Sequence, residues 1–255
     1  MTMEIVTVPC LSDNYAFLLH DSTTHATAVI DVPDETAVEA ELERRGWDLT
    51  DILITHHHAD HIDGVEALRA TTGARVTGAA ADSHRLPPLD RAVRGDEVFQ
   101  VGSAEVRVIE VPGHTVGHIA FHVPQAGAVF TADSLMALGC GRLFEGTAAQ
   151  MWASLSKLAA LPPETRVCSG HEYTVSNGRF ALTIEPANAA LISRVAAVAD
   201  LRAQGRPTVP STLAEELATN PFLRAGLPAV KALVGLPGAA DAEVFAEIRR
   251  RKDRF

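Results

Sequence analysis

His56-His57-His58-Ala59-Asp60-His61 places four imidazoles and a carboxylate within six consecutive positions, directly after the apolar run Ile52-Leu53-Ile54-Thr55. Packing alone gives no reason to crowd imidazoles behind a strand. In an extended segment alternate side chains share a face, so His56 and His58 can reach one ion. Asp60 and His61, just beyond, can turn toward a second. Zinc and related metals take N and O donors at about 2.0–2.2 Å, and a catalytic site keeps one position for water. Hydrolysis of a carbonyl compound at neutral pH is the chemistry that such a set supports.

More donors lie at three other strand ends. His114 sits in Pro112-Gly113-His114-Thr115, Asp133 in Thr131-Ala132-Asp133-Ser134, and His171 in Ser169-Gly170-His171-Glu172. Each has small neighbours, as a tight loop requires. Seven donors are too many for one tetrahedral ion and suit two. His56, His58 and His114 would take one ion, and Asp60, His61 and His171 the other, with Asp133 bridging. Two ions about 3.5–4 Å apart can hold a hydroxide between them and polarise a carbonyl. His57, between two ligands, is expected to point away and serve structure. His20, His25, His84 and His122 lack partner motifs and read as structural or solvated. His118 reads equally as a support for a ligand or as part of its strand. Asp31 reads as orienting a ligand histidine or as a turn aspartate.

These donors need a scaffold. Glu4–Val8, Ala16–Leu19, Ala26–Asp31 and Asp51–Thr55 are short, β-rich runs bounded by turn residues. Helical spacing covers Glu35–Arg45, ending at Gly46, and a short helix over Val65–Ala70 stops near Gly73. Arg75–Gly78, Glu97–Val101, Ala104–Val111, His118–Val123 and Val129–Ala132 form a second set of strands. The helix Ala148–Leu161 and the strand Arg166–Ser169 follow. From Ser176 onward the pattern is helical, with segments over Pro186–Gln204, Ser211–Leu217 and Asp241–Arg251. Thr212 and Glu215 form a capping box, and the Pro and Gly residues at 205–210 and 226–238 mark turns. This divides the chain into an α/β part at 1–173 and a helical part at 174–255.

With 255 residues and 47% hydrophobic content, the chain can bury a substantial core. A net charge of −10 argues against binding nucleic acid through the phosphate backbone. No apolar run is long enough to span a bilayer, and Met1–Pro9 lacks the pattern of a signal peptide. The three cysteines, Cys10, Cys140 and Cys168, form neither a disulfide framework nor a C-x-x-C motif, which fits a reducing, cytoplasmic setting. Against the acidic background, Arg249 and Lys252 make a local basic site.

The motif His56-x-His58-x-Asp60-His61 resembles the signature of the metallo-β-lactamase superfamily. The likeness extends to the glyoxalase II (hydroxyacylglutathione hydrolase) family. It is carried by Thr55-His-His-His-Ala-Asp-His-Ile-Asp63, Pro112-Gly-His-Thr-Val-Gly-His118, Phe130-Thr-Ala-Asp133 and Gly170-His-Glu-Tyr-Thr174. Asp13-Asn14-Tyr15, Gly139-Cys-Gly-Arg-Leu-Phe-Glu-Gly146, Arg179-Phe-Ala-Leu182 and Arg249-x-x-Lys252-Asp253-x-Phe255 also match. The His-cluster motif is shared with lactonases, nucleases and β-lactamases; the segments outside the ligands are more specific. Two positions depart from the family pattern: Phe144, where some members carry Tyr, and Val32, where Asp-Pro is usual after Asp31.

The resemblance implies an α/β fold, a four-layer αβ/βα metallo-β-lactamase sandwich with a C-terminal helical glutathione-binding domain. It implies two divalent metal ions, zinc with iron or manganese as alternatives, since N/O sites accept all three. It also implies that Arg142, Phe144, His171, Tyr173, Arg249 and Lys252 contact a glutathione thioester. Glutathione carries two carboxylates, which cations would suit. For Arg249 and Lys252 the bland alternative is a solvated basic helix end that complements the helix dipole. The expected reaction is hydrolysis of S-D-lactoylglutathione to glutathione and D-lactate, the second step of methylglyoxal detoxification. Asp60 would orient the attacking hydroxide, and no serine or cysteine nucleophile is needed. A monomer, free of nucleic acid and membrane, is expected. The rivals are a lactonase or another thioesterase of the same fold, a mononuclear iron sulfur dioxygenase, and a noncatalytic metal- or glutathione-binding protein.

Overall fold

A computed structural model describes residues 3–255. The chain divides into two compact units. The first runs to Glu110 and adds Gly117–Ala132; the second comprises Val111–Val116 and Asp133–Phe255.

In the first unit, strands β1 (Met3–Cys10), β2 (Asn14–Asp21) and β3 (Thr27–Ile30) pair antiparallel in sequence. After α1 (Glu35–Arg45) the chain enters β4 (Asp51–Leu53), which lies parallel to β3 with Ile30 opposite Leu53. Two short helices, α2 (Ala59–Ile62) and α3 (Val65–Thr72), lead to β5 (Arg75–Ala79) and β6 (Arg91–Val93), again parallel. Val38 and Leu42 of α1 and Val65 and Leu68 of α3 belong to the same buried core as Val29, Ile52, Ile54 and Val76 of this sheet. Buried throughout, β3 and β4 carry the apolar runs Ala28-Val29-Ile30 and Ile52-Leu53 rather than alternation. Strands β7 (Val98–Val101), β8 (Ala104–Glu110), β9 (Ile119–Val123) and β10 (Ala128–Ala132) form an antiparallel meander.

The second unit opens with a small hairpin, β11 (Leu135–Met136) and β12 (Gly139–Cys140). Helix α4 (Ala148–Ala159) starts at a capping box made by Thr147 and Gln150. Strand β13 (Arg166–Ser169) is followed by α5 (Thr174–Ile184) and α6 (Ala189–Ala203). Strand β14 (Ser211–Thr212) pairs with β13, and α7 (Leu213–Thr219), α8 (Pro228–Leu233) and α9 (Asp241–Asp253) complete the chain.

Most expected elements occur within a few residues of their sequence bounds. Three differ for local reasons. The long helix begins at Ala189 rather than Pro186, because the Asn188 side chain accepts from the Leu191 amide and caps it there. The segment 226–238, read as turns, contains α8, with Pro228 at a first-turn position where no amide is needed. Strands β6, β11, β12 and β14 are two or three residues long, too short to leave a periodic signal. The expected stop of α1 is met in full: Gly46 adopts φ 65° and its amide bonds the helix end. No atom lies near enough to obstruct a Cβ there, so only the backbone resists substitution. Gly46→Ala should lower stability by about 1 kcal/mol, the cost of a left-handed L-residue. Urea unfolding measures it, and an unchanged midpoint would contradict the strain argument.

Candidate metal centre

The parallel pairing of β3 and β4 places the ends of both strands side by side, where open α/β sheets hold their ligands. Asp31 follows β3 and Thr55-His56 follow β4. The Asp31 carboxylate accepts from the Thr55 amide at 2.8 Å, the Thr55 hydroxyl at 2.8 Å and His61 Nδ1 at 2.9 Å. Asp31 itself has φ 56°, a region that Asp tolerates better than most residues. Asp31 thus makes the contact with His61 that its orienting reading requires. With Nδ1 engaged, His61 turns Nε2 toward Asp60, 3.7 Å from Oδ2. Thr55 Oγ1 also stands 3.0 Å from His56 Nδ1, which leaves His56 Nε2 facing His58 Nδ1 at 3.1 Å. Asp31, His56 and His61 together group their ligand atoms within 4.8 Å.

Asp60 is gripped from β2. Asn14 Nδ2 donates to the Asp60 carbonyl and to its Oδ2, both at 3.0 Å. His57 turns to Asp82 instead, with Nδ1 3.1 Å from Oδ2, and Arg85 donates to the other oxygen of the same carboxylate. A Cβ at Gly117 would stand 2.1 Å from the Asp82 carboxyl carbon, so this pair fits only against glycine. His118 stacks on the His56 ring at 4.6 Å, nearly parallel, and forms a wall for it.

The second unit presents His114, Asp133 and His171. His114 Nδ1 bonds the Arg142 carbonyl at 2.9 Å, leaving Nε2 3.4 Å from Asp133 Oδ2. His171 Nε2 lies 3.3 Å from Asp133 Oδ1. Each oxygen of one carboxylate therefore faces a different imidazole. Asp133 follows Ala132, whose φ of 40° is strained for alanine. A Cβ at Gly141 would fall 2.0 Å from the Asp133 carbonyl oxygen and 2.9 Å from His114 Nδ1, so this approach requires glycine.

A divalent metal can be tested against these donors. Two donors on one tetrahedral ion with bonds near 2.1 Å stand about 3.4 Å apart. The pairs His56–His58, Asp60–His61, His114–Asp133 and His171–Asp133 lie 3.1, 3.7, 3.4 and 3.3 Å apart, which is the edge of a coordination polyhedron. Partners on the other ring nitrogen, as for His56, His61 and His114, are what fix imidazole ligands in metal sites. The residues fit.

The substrate candidates also belong to the second unit. Tyr173 stacks on His171 at 4.6 Å, and the exposed Phe144 ring meets His114 edge-on at 5.2 Å. Lys252 Nζ lies near the Ser176 carbonyl and hydroxyl and 5.3 Å from the Phe180 and Phe255 rings. Burial, with the charges of Arg249 and Arg142 nearby, brings its ammonium down to about 8. Arg249 is not the solvated helix end that its charge pattern alone suggests. It is 4% exposed, donates to the Cys140 carbonyl at 2.9 Å and pairs with Asp253. Burial pushes the Cys140 thiol up to about 11, so it is no nucleophile. The spacing of the motifs gave no sign of the supporting contacts from Asn14, Thr55 and Asp82, since each is a tertiary contact of a residue with common structural uses.

Comparison with known proteins adds a second line of evidence. Residues 14–171 match the family model of the metallo-beta-lactamase superfamily, and residues 172–255 match the model described as hydroxyacylglutathione hydrolase C-terminus. A hydroxyacylglutathione hydrolase of Cereibacter sphaeroides is 66% identical over 255 residues, 100% of both chains. One of Jannaschia sp. is 65% identical over 99% of this chain and 98% of its own. Among solved structures, the BLEG-1 B3 metallo-beta-lactamase aligns with a TM-score of 0.68 at 22% identity, covering 86% of this chain and 99% of that one. ETHE1 from Myxococcus xanthus aligns with a TM-score of 0.67 at 27% identity, covering 98% and 90%. The fold is therefore the α/β metallo-β-lactamase fold with a helical C-terminal region.

Asp31→Ala should weaken divalent-metal binding about 10- to 100-fold, the usual effect of losing a carboxylate that orients a ligand histidine. Competition with a chromophoric chelator measures it; unchanged affinity in a folded variant would remove Asp31 from the centre.

Proposed function

The chain belongs to the hydroxyacylglutathione hydrolase family, and from that premise we propose that it hydrolyses S-D-lactoylglutathione at a centre of two divalent metal ions. The broader activity, hydrolysis of the thioester bond of S-2-hydroxyacylglutathiones, follows from full-length relatives at 60–66% identity. The products are glutathione and the 2-hydroxy acid, here D-lactate, as in the second step of methylglyoxal detoxification. The match over 172–255 separates this reading from a lactonase, a β-lactamase, a sulfur dioxygenase or a noncatalytic binding protein.

His56, His58 and His114 would hold one ion and Asp60, His61 and His171 the other, with Asp133 shared between them. The observation that carries this reading is the carboxylate of Asp133, with His114 and His171 at 3.4 and 3.3 Å from its separate oxygens. When bound, zinc, or iron or manganese in its place, supplies the Lewis acidity that lowers the pKa of water and polarises the thioester carbonyl. The rest is done by the chain. Asn14 holds the Asp60 carboxylate, which orients the attacking water toward the carbonyl carbon. The C–S bond breaks and the glutathione thiolate leaves.

Arg142, Phe144, His171, Tyr173, Arg249 and Lys252 recognise the thioester's glutathione portion. Lys252 and Arg142 offer positive charge to the carboxylates, while Phe144 and Tyr173 give flat apolar surface. Arg249, committed to the Cys140 carbonyl, shapes the segment before Arg142 and adds to the local potential. Residues 1–173 form the catalytic domain in this reading and 174–255 the glutathione-binding domain. No helix among the described residues is long and apolar enough to cross a membrane. A cytoplasmic monomer acting on a small molecule completes the proposal.

Chelation should abolish turnover of S-D-lactoylglutathione, and restored zinc should return it; full activity in metal-free protein would sink the mechanism. The state of Lys252 predicts a pH effect. Its ammonium is present below about 8 and lost above it, so KM should rise as pH passes that value. Lys252→Arg keeps its charge there and should flatten the rise, as steady-state kinetics between pH 7 and 9.5 would reveal. An identical profile in the variant would assign the pH effect elsewhere.

A further inference from the structure

We infer that α7, through Asn220 and Glu216, is a positioning element for the metal centre, acting on Asp133 and His114 through the β11–β12 hairpin. The inference rests on the two-metal reading above. The hairpin begins two residues after Asp133 and ends two before Arg142. At its base the Gly141 amide donates to the Ser134 carbonyl at 3.2 Å. Asp133 carries its carboxylate to the centre from one end, and the Arg142 carbonyl orients His114 from the other. A shift of the hairpin therefore moves both groups together.

Two residues per strand cannot hold such a hairpin in place, since even longer isolated hairpins are marginal in water. Leu138, at its tip, also sits at φ 57°, a left-handed region that strains a non-glycine residue. The restraint comes from side chains beyond residue 170. Asn220 Nδ2 donates to the carbonyls of Met136 at 3.1 Å and Gly139 at 2.9 Å. Glu216 Oε2 accepts from the Leu138 amide at 2.9 Å and from Asn220 Nδ2 at 3.0 Å. Asn177 donates to the Ala137 carbonyl and Arg249 to that of Cys140. Every residue from 136 to 140 thus has a backbone group bonded to a side chain of the C-terminal helices or their caps.

Asn220 and Glu216 are the fixed points of this clamp. Both are fully buried. Asn220 Oδ1 accepts from the Phe222 amide at 3.0 Å, which sets the direction of the amide nitrogen. Glu216 Oε1 accepts from Arg194 and from the Ser211 hydroxyl, so its charge is paired and its rotamer locked. Buried polar groups satisfied this fully hold a single geometry, and loss of one member leaves the others unsatisfied.

The test is cobalt(II) binding to the full chain after metal removal, followed by visible absorption and chelator competition. Asn220→Ala should weaken cobalt affinity at least about 10-fold and alter the d–d bands, as outer partners of metal ligands do. Gly46→Ala is the control for general destabilisation. It strains the end of α1 and touches neither α7 nor the hairpin, so it should lower stability yet leave cobalt binding unchanged. Wild-type cobalt affinity and spectrum in Asn220→Ala, or an equal loss in Gly46→Ala, would overturn the inference. If Asn220→Ala is insoluble, Glu216→Gln is read the same way, and unchanged cobalt binding there also overturns it. Failure of the wild-type chain to take up two cobalt ions would instead refute the two-metal reading.

Discussion

An imidazole can bind a metal only if one nitrogen is presented and the ring is kept from turning away. In this chain that constraint is met by occupying the other nitrogen. Asp31 takes His61 Nδ1, Thr55 takes His56 Nδ1, and the Arg142 carbonyl takes His114 Nδ1. Thr55 is itself held by Asp31 through its amide and its hydroxyl. One buried carboxylate at the end of β3 therefore governs two of the donors that follow β4. The parallel register of these strands, Ile30 opposite Leu53, is what makes the arrangement reachable.

The two units solve the same problem in different ways. In the first, donors are crowded into one segment, and the difficulty is keeping them apart. His57 is drawn off by Asp82, His118 stacks on His56, and Asn14 restrains Asp60. In the second, the donors come from three loops and must be brought together. Backbone contacts too close for any side chain do this at Gly141, and a strained position is accepted at Leu138. Strain of this kind persists only where surroundings over-determine it. Here the surroundings include the bonds from Asn177, Asn220, Glu216 and Arg249.

The C-terminal helices hold the segment that leads from Asp133 to Arg142, and in the function proposed above they also carry Lys252 to the glutathione carboxylates. Arg249 illustrates the overlap. As a charged residue near the end of a basic helix it reads as a surface group, yet its guanidinium is buried and bonded to the backbone of Cys140. Lys252, one helical turn further on, keeps contact with apolar rings and a lowered pKa, so its charge is available and responsive to pH.

Candidate donor types and the chemistry they allow were legible in the sequence, because histidine, aspartate and glycine recur in short motifs at strand ends, where they have few other uses. The sequence also placed the longer elements, whose periodicity and caps are local, such as α1 with Gly46 and α7 with Thr212 and Glu215. Tertiary contacts set that His61 presents Nε2, that His57 belongs to Asp82, that Asn14 grips Asp60, and that Asn220 and Glu216 hold the hairpin. Those outcomes depend on hydrogen bonds between residues 25 to 84 positions apart. No local pattern encodes such pairs, since an asparagine or a glutamate serves equally well as cap, turn or solvated surface. The distinction is set by burial, which makes an unpaired polar group costly and so gives each of these side chains one partner geometry.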